Sequence, residues 1–163
     1  ERGWFDHLHP DIYEAVQEEP AEYLTDRTTS PQVPVLDWDF VSTWCESATP
    51  PPGAQRFKQV HAPFAHGPKS FALIVHGLSM DPEYRDGDHI LVDPDLSPAH
   101  NDDVVAMLPE GNYTFKRYQK TPEGNQFIAL NGDFPDRILK IPEKTRILGV
   151  VIGSWTIKRQ QKQ

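Results

Sequence analysis

Residues 103–130 contain Asp103-Val-Val-Ala-Met107, Tyr113-Thr-Phe-Lys-Arg-Tyr-Gln119 and Gln126-Phe-Ile-Ala-Leu130, separated by Glu110-Gly111 and Glu123-Gly124. Short runs rich in β-branched and aromatic residues, each closed by a glycine turn, are the pattern of consecutive antiparallel strands. The spacing predicts strands over 103–107, 112–119 and 126–130. Working outward, the same pattern places strands at 56–61, 70–75 and 89–92, and a C-terminal pair at 146–152 and 154–158. Further turns fall at Asp86-Gly87 and Asn131-Gly132. With 16 prolines, 10 glycines and 37% apolar residues in a 163-residue chain, many short elements are favoured over a helical bundle. The fold expected is mainly β, a compact and mostly antiparallel domain.

The N-terminal end differs in character. Residues 10–19 read as a short helix, with Pro10 in its first turn and Ile12, Tyr13 and Val16 on one face. Residues 25–34 have linker composition, and residues 48–53, with three consecutive prolines, should form a rigid loop. We therefore expect an acidic helical arm and linker over 1–33 and one folded domain over 34–160. Residues 1–30 hold eight acids against Arg2 and Arg27, so −6 of the formal net charge of −8 lies there. An acidic chain repels phosphate backbones, which argues against nucleic-acid binding by this chain alone. No apolar run approaches the roughly 20 residues of a membrane span, and no signal peptide is visible. The lone Cys45 excludes an internal disulfide and fits a reducing cytoplasm. A chain that begins at Glu1 is expected to be part of a longer protein.

One pair of residues suggests chemistry. Ser79, in Gly77-Leu-Ser-Met80, follows an apolar strand, and Lys116 lies on the strand over 112–119. A serine hydroxyl becomes a nucleophile when a neighbour accepts its proton, and a lysine can do so only when its amine is uncharged. Strand alternation puts Thr114, Lys116 and Tyr118 on the face opposite Tyr113, Phe115 and Arg117. If that face looks into a cleft, the Lys116 amine loses water. Gly77 permits a close turn, and the backbone N–H groups of Ser79 and Met80 are candidates for an oxyanion hole. Taken singly, each residue has a plainer reading, because Gly-x-Ser-Met is a common string and strand lysines are usually solvated.

Other groupings are weaker. A Ser–His–Asp arrangement of Ser79 with His76 or His89 and Asp88 is less favoured, and His7 and His9 read as a surface pair rather than a metal site. Trp38, Phe40 and Trp44 alternate with polar residues, as core-facing strand residues do. Cys45 reads as a plain thiol. No metal or cofactor is implied.

Gly77-Leu-Ser-Met-Asp-Pro-Glu-Tyr84, Asp86-Gly-Asp-His-Ile-Leu-Val-Asp93, Asp103-Val-Val-Ala106 and Tyr113-Thr-Phe-Lys-Arg117 together resemble the C-terminal domain of LexA and lambda-type phage repressors. The resemblance covers about residues 34–158. It implies a β-clip fold, a Ser79–Lys116 dyad and cleavage of the protein's own chain promoted by the RecA filament. It also implies a preceding helix-turn-helix domain for operator DNA, and a homodimer formed through the C-terminal strands. Relatives cut themselves at Ala-Gly or Cys-Gly, and neither dipeptide occurs here. The tryptophan spacing lays Val41-Ser42 on that position. Valine is bulkier and stiffer than alanine, and serine allows less backbone freedom than glycine. The resemblance therefore implies a prophage repressor domain that keeps its dyad but cuts itself poorly, with an antirepressor protein as an alternative switch. Two other readings stay open: an active self-cleaving peptidase under RecA control, and a UmuD-like polymerase accessory subunit.

Overall fold

The computed structural model describes residues 32–47 and 49–158. Among these residues nine strands carry the fold: β1 Gln32–Pro34, β2 Gln59–His61, β3 Phe71–Ile74, β4 His89–Asp93, β5 Asp103–Met107, β6 Tyr113–Thr121, β7 Gly124–Ile128, β8 Ile138–Lys140 and β9 Arg146–Trp155. β1 and β2 pair with each other, and the rest form one antiparallel sheet in the order β3-β4-β9-β5-β6-β7-β8. The mainly β fold expected from the sequence is the observed one. Gly87, Gly111 and Gly124 adopt φ of +90°, +91° and +125° at the turns that define β4, β6 and β7. Only glycine takes these angles without strain.

Alternation along the central strands builds cores on both sides of the sheet. Phe71, Leu73, Ile90, Val92, Val105 and Phe115 belong to the largest cluster. Their neighbours Val104, Ala106, Tyr118 and Phe127 pack with Val150 on the other side. Ala72 and Leu91 join Val33 of β1 in a third, smaller cluster. Burying each such Val, Leu, Ile or Phe side chain contributes about 1.5–3 kcal/mol. The register of the central strands is correspondingly fixed, since a slip of one residue would turn every side chain to the wrong side.

Several sequence expectations change. The C-terminal pair is a single strand, β9, whose residues 146–150 pair with β5 and whose residues 150–155 pair with β4. Its glycines serve close packing rather than a turn. A Cβ on Gly149 would lie 2.5 Å from Val92 Cγ1 and 3.0 Å from the Asp93 carbonyl oxygen, and one on Gly153 would meet the Phe64 ring. The pairing shifts by one residue near each glycine. β1 and β8 were not anticipated, and β1 falls at the end of the stretch read as linker. The largest departure is at residues 38–46, where Trp38, Phe40 and Trp44 alternate in the manner of core-facing strand residues. Trp38–Phe40 form a 3-10 turn that runs into helix α1, Val41–Glu46. Six residues cannot hold a helix alone in water. Tertiary contacts hold this one: Val41 and Trp44 are buried in the main core, and Trp44 Nε1 donates to the Lys69 carbonyl at 2.9 Å. The helix read over residues 10–19 lies outside the described residues.

Gly149→Ala should lower stability by about 1–3 kcal/mol, since the backbone of Asp93 cannot move aside as a side-chain tip can. Gly132→Ala, where a Cβ meets nothing within 4 Å, should change it by less than about 0.5 kcal/mol. Urea denaturation midpoints of the two variants separate these outcomes.

Candidate functional site

The chain leaves β3 at Ile74 and is held to the β4 side by two backbone bonds, Val75 N to Asp88 O at 2.8 Å and Gly87 N to Val75 O at 2.9 Å. Gly77 then takes φ +86°, and its N–H donates to the Asp86 carboxylate at 2.7 Å. This closes the turn that presents Ser79. Met80 anchors the turn from below with 1% exposure, whereas Leu78 stands 61% exposed beside it. Asn131 ties the other side, donating from its side chain to Leu78 O at 2.9 Å and from its backbone to Ser79 O at 3.0 Å. The N–H groups of Ser79 and Met80 donate to no other group among the described residues. They are therefore free to receive an anionic oxygen.

Lys116 arrives from β6. Its Nζ lies 3.2 Å from Ser79 Oγ, 3.1 Å from Thr114 Oγ1 and 3.1 Å from the Phe115 carbonyl. The Phe134 ring centre is 5.6 Å away. Burial holds the amine below the ordinary lysine range. The oxygens and the ring around it favour the ammonium form, but none carries a full charge, and loss of water outweighs them. An amine so placed can accept a hydroxyl proton from Ser79 directly. The two residues line a cleft of about 480 Å³ with Trp38, Val75, His76, Tyr113 and Phe115 among its walls.

A buried carboxylate links the two sides of this site. Asp103 on β5 lies opposite Arg117 in register. It receives Arg117 Nε at 2.8 Å and Nη2 at 3.0 Å, a two-pronged pair. Tyr84 donates its hydroxyl to the same carboxylate at 2.6 Å, and Arg117 also reaches Glu83 at 3.1 Å. Glu83 and Tyr84 follow Ser79 on its turn, and Arg117 follows Lys116 on its strand. The network therefore fixes nucleophile turn against base strand. Burial and the bond to Asp103 push the Tyr84 phenol well above its usual range, and that bond raises Arg117 further. Sequence reasoning missed this network, although pairing 103–107 with 112–119 about Glu110-Gly111 would have set Asp103 opposite Arg117. It also missed Asn131, which was read only as part of a turn.

The other expected residues are placed as follows. Val41 is the first residue of α1 and fully enclosed in the core. Ser42 Oγ is 3.0 Å from the Tyr113 hydroxyl, which also reaches the Asp39 carbonyl at 3.4 Å. Trp38 Nε1 donates to Ile74 O at 2.8 Å. Trp38 thus borders the cleft and Ser42 meets its wall at Tyr113, but no hydrogen bond joins Val41 or Ser42 to Ser79 or Lys116 among the described residues. The Ser–His–Asp alternative is not assembled: His89 stacks on Trp155, and Asp88 accepts from Arg85 N and Thr156 Oγ1. Cys45 is half-buried against the Leu148 carbonyl, and burial pushes its thiol up to about 11. His7 and His9 lie outside the described residues. Among the described residues no helix is long and apolar enough to cross a membrane.

A family model described as Peptidase S24-like matches residues 42–152, which include Ser79 and Lys116. The chain is 32% identical over 158 residues to the prophage repressor CohE of Escherichia coli K12, covering 96% of this chain and 69% of that protein. It is 24% identical over 123 residues to an uncharacterized HTH-type transcriptional regulator of Coxiella burnetii, covering 74% of this chain and 56% of that protein.

Asp103→Ala should cost about 3 kcal/mol, the low end for breaking a buried pair, because Arg117 keeps Glu83 and some solvent. Thermal unfolding would measure it, and an unchanged midpoint would show that the network is dispensable. Lys116 gives a second expectation. Its folded pKa is lowered, so between that value and the unfolded value of about 10.4 the unfolded chain binds the extra proton, and stability rises with pH. Wild type should gain on Lys116→Met as pH climbs from neutral toward about 10. A constant difference across that window would show that the amine stays well solvated.

Proposed function

The chain belongs to the peptidase S24-like family of LexA and phage-repressor type, and on that premise we propose that it is the C-terminal regulatory domain of a prophage transcriptional repressor whose own cleavage segment is locked away. The prophage repressor relative supports the repressor reading, and its greater length leaves room for a DNA-binding unit. In this reading operator DNA is bound by a preceding helix-turn-helix domain, and the present domain associates with a second copy in the cytoplasm. Residues 151–155 of β9 pair with β4 alone among the described residues, so their other edge leaves room for strand pairing with the second copy.

The proposed chemistry follows from the site. Ser79 Oγ would attack a carbonyl as Lys116 takes its proton, and the N–H groups of Ser79 and Met80 would stabilise the oxyanion. Lys116 would then return the proton to the leaving amine, and water would release the acyl group from Ser79. General base action of this kind contributes about 10²–10⁴-fold.

The observation that carries the proposal is the state of Val41-Ser42. A scissile bond must enter the cleft extended, yet this one begins a helix, with Val41 sealed in the core. Withdrawing a buried valine costs about 1.5–3 kcal/mol, which alone reduces the competent fraction by roughly ten- to a hundred-fold. A misplacement near an ångström costs about another hundredfold. These factors are large enough to cancel most of what Lys116 supplies. The switch would then fall to a partner such as an antirepressor rather than to RecA-promoted cutting.

Wild type held overnight near pH 10 should stay whole by mass spectrometry. Val41→Ala with Ser42→Gly should cut between residues 41 and 42, and lose that activity on adding Ser79→Ala or Lys116→Ala. A wild-type break at this bond would instead support the self-cleaving reading. A double variant that stays intact would overturn the proposed dyad or its proposed target.

A further inference from the structure

The two N–H groups available for an oxyanion belong to the peptide units joining Leu78 to Ser79 and Ser79 to Met80. Both units are trans, since among the described residues only Asp81-Pro82 is cis. In a trans unit the carbonyl and the N–H point in opposite directions, so whatever grips the carbonyl also aims the N–H. One residue grips both carbonyls. Asn131 donates its side-chain amide to Leu78 O at 2.9 Å and its backbone N–H to Ser79 O at 3.0 Å. Leu78 O also takes the Asp81 N–H at 3.2 Å, a bond within the turn itself. Ser79 O has no partner besides Asn131 among the described residues.

Asn131 is itself held. Its Oδ1 accepts the Asp133 N–H at 3.0 Å, and its carbonyl accepts the Phe134 N–H at 3.1 Å. With a donor facing Oδ1 and a carbonyl facing Nδ2, the amide has one workable orientation. The loop that carries it joins β7 to β8 and is closed at its base by Ala129 N to Arg137 O at 2.8 Å and Arg137 Nε to Ala129 O at 3.0 Å. A side chain on a loop tied in this way can fix the turn opposite it. On the Ser79–Lys116 reading proposed above, and standing only with it, we infer that Asn131 is a positioning residue for the oxyanion donors. It turns the Ser79 and Met80 N–H groups away from its own loop and keeps them unpaired. Asn131 makes no hydrogen bond to Ser79 Oγ or Lys116 among the described residues, so it acts through the turn alone.

An alkyl fluorophosphonate added to the full 163-residue chain probes these groups without needing the Val41-Ser42 segment. Ser79 Oγ bonds to phosphorus, Lys116 takes the hydroxyl proton, and the P–F bond breaks to release fluoride, while the phosphoryl oxygen takes the oxyanion position. Mass spectrometry of the Ser79 adduct over time gives the rate at each pH. Wild-type labelling should rise with pH through the lowered Lys116 pKa and be lost in Ser79→Ala and Lys116→Ala. Asn131→Asp keeps an acceptor for the Asp133 N–H but loses the donor to Leu78 O. Asn131→Ser is uncharged and too short to reach that carbonyl. Both should lower the high-pH plateau about tenfold, less than the roughly 10²–10³-fold lost when an oxyanion donor is removed outright. Asn131→Ser should keep the wild-type pH midpoint, because the base is untouched. If one variant does not fold, the plateau and midpoint of the other decide. A wild-type plateau in Asn131→Ser, or a fall confined to the charged Asn131→Asp, would overturn the role of Asn131 and leave the dyad standing. Wild type unlabelled at Ser79, or labelled equally well in Lys116→Ala, would remove the dyad and this role together.

Discussion

The Asp103 carboxylate is the point on which the site turns. It is buried, takes both prongs of Arg117, and accepts the Tyr84 hydroxyl at 2.6 Å. A carboxylate this enclosed is tolerable only when its lone pairs are filled with good geometry. Filling them requires β5, β6 and the turn after Ser79 to meet at one place. Lys116 and Ser79 stand one and a few residues from that meeting point, so their 3.2 Å approach is a consequence of it. A single lysine–hydroxyl bond would have little power to position two separate segments.

The same economy governs β9. As the strand between β4 and β5 it must pack side chains on both faces, and at Gly149 the neighbouring backbone comes too close for any side chain. With β9 fixed there, β5 and β4 are fixed too, and with them the strands that bracket the cleft. Phe115 and Tyr84 meet edge to face at 4.9 Å under the network, so the polar contacts and the core reinforce each other.

In the proposed reading, function in this domain is a balance between a competent site and an unavailable substrate. Burial lowers the Lys116 pKa, which favours chemistry, while burial of Val41 opposes it by keeping α1 folded. Both effects have the same origin in loss of water, and they act on different sides of the reaction. In the proposed reading Tyr113 contributes to both: it walls the cleft, and its hydroxyl meets Ser42 Oγ on α1.

Period-two alternation and glycine turns were enough to find most of the strands, since both are local consequences of backbone sterics. β5 was placed to the residue, and the turns at Gly87, Gly111 and Gly124 fell where positive φ is needed. Ser79 and Lys116 were legible because order and spacing of several motifs agreed around them. Residues 38–46 misled because Trp38, Phe40 and Trp44 satisfy a strand period, while a helix of six residues has too few turns to show its own. The place of β9 in the middle of the sheet was equally hidden, because pairing partners are set by contacts distant in sequence. The chain by itself therefore determined most of the extended segments and which two side chains carry candidate chemistry. Only the tertiary structure decided that Asp103 holds them together and that Val41 lies in the core, because desolvation and packing exist only once the segments have met.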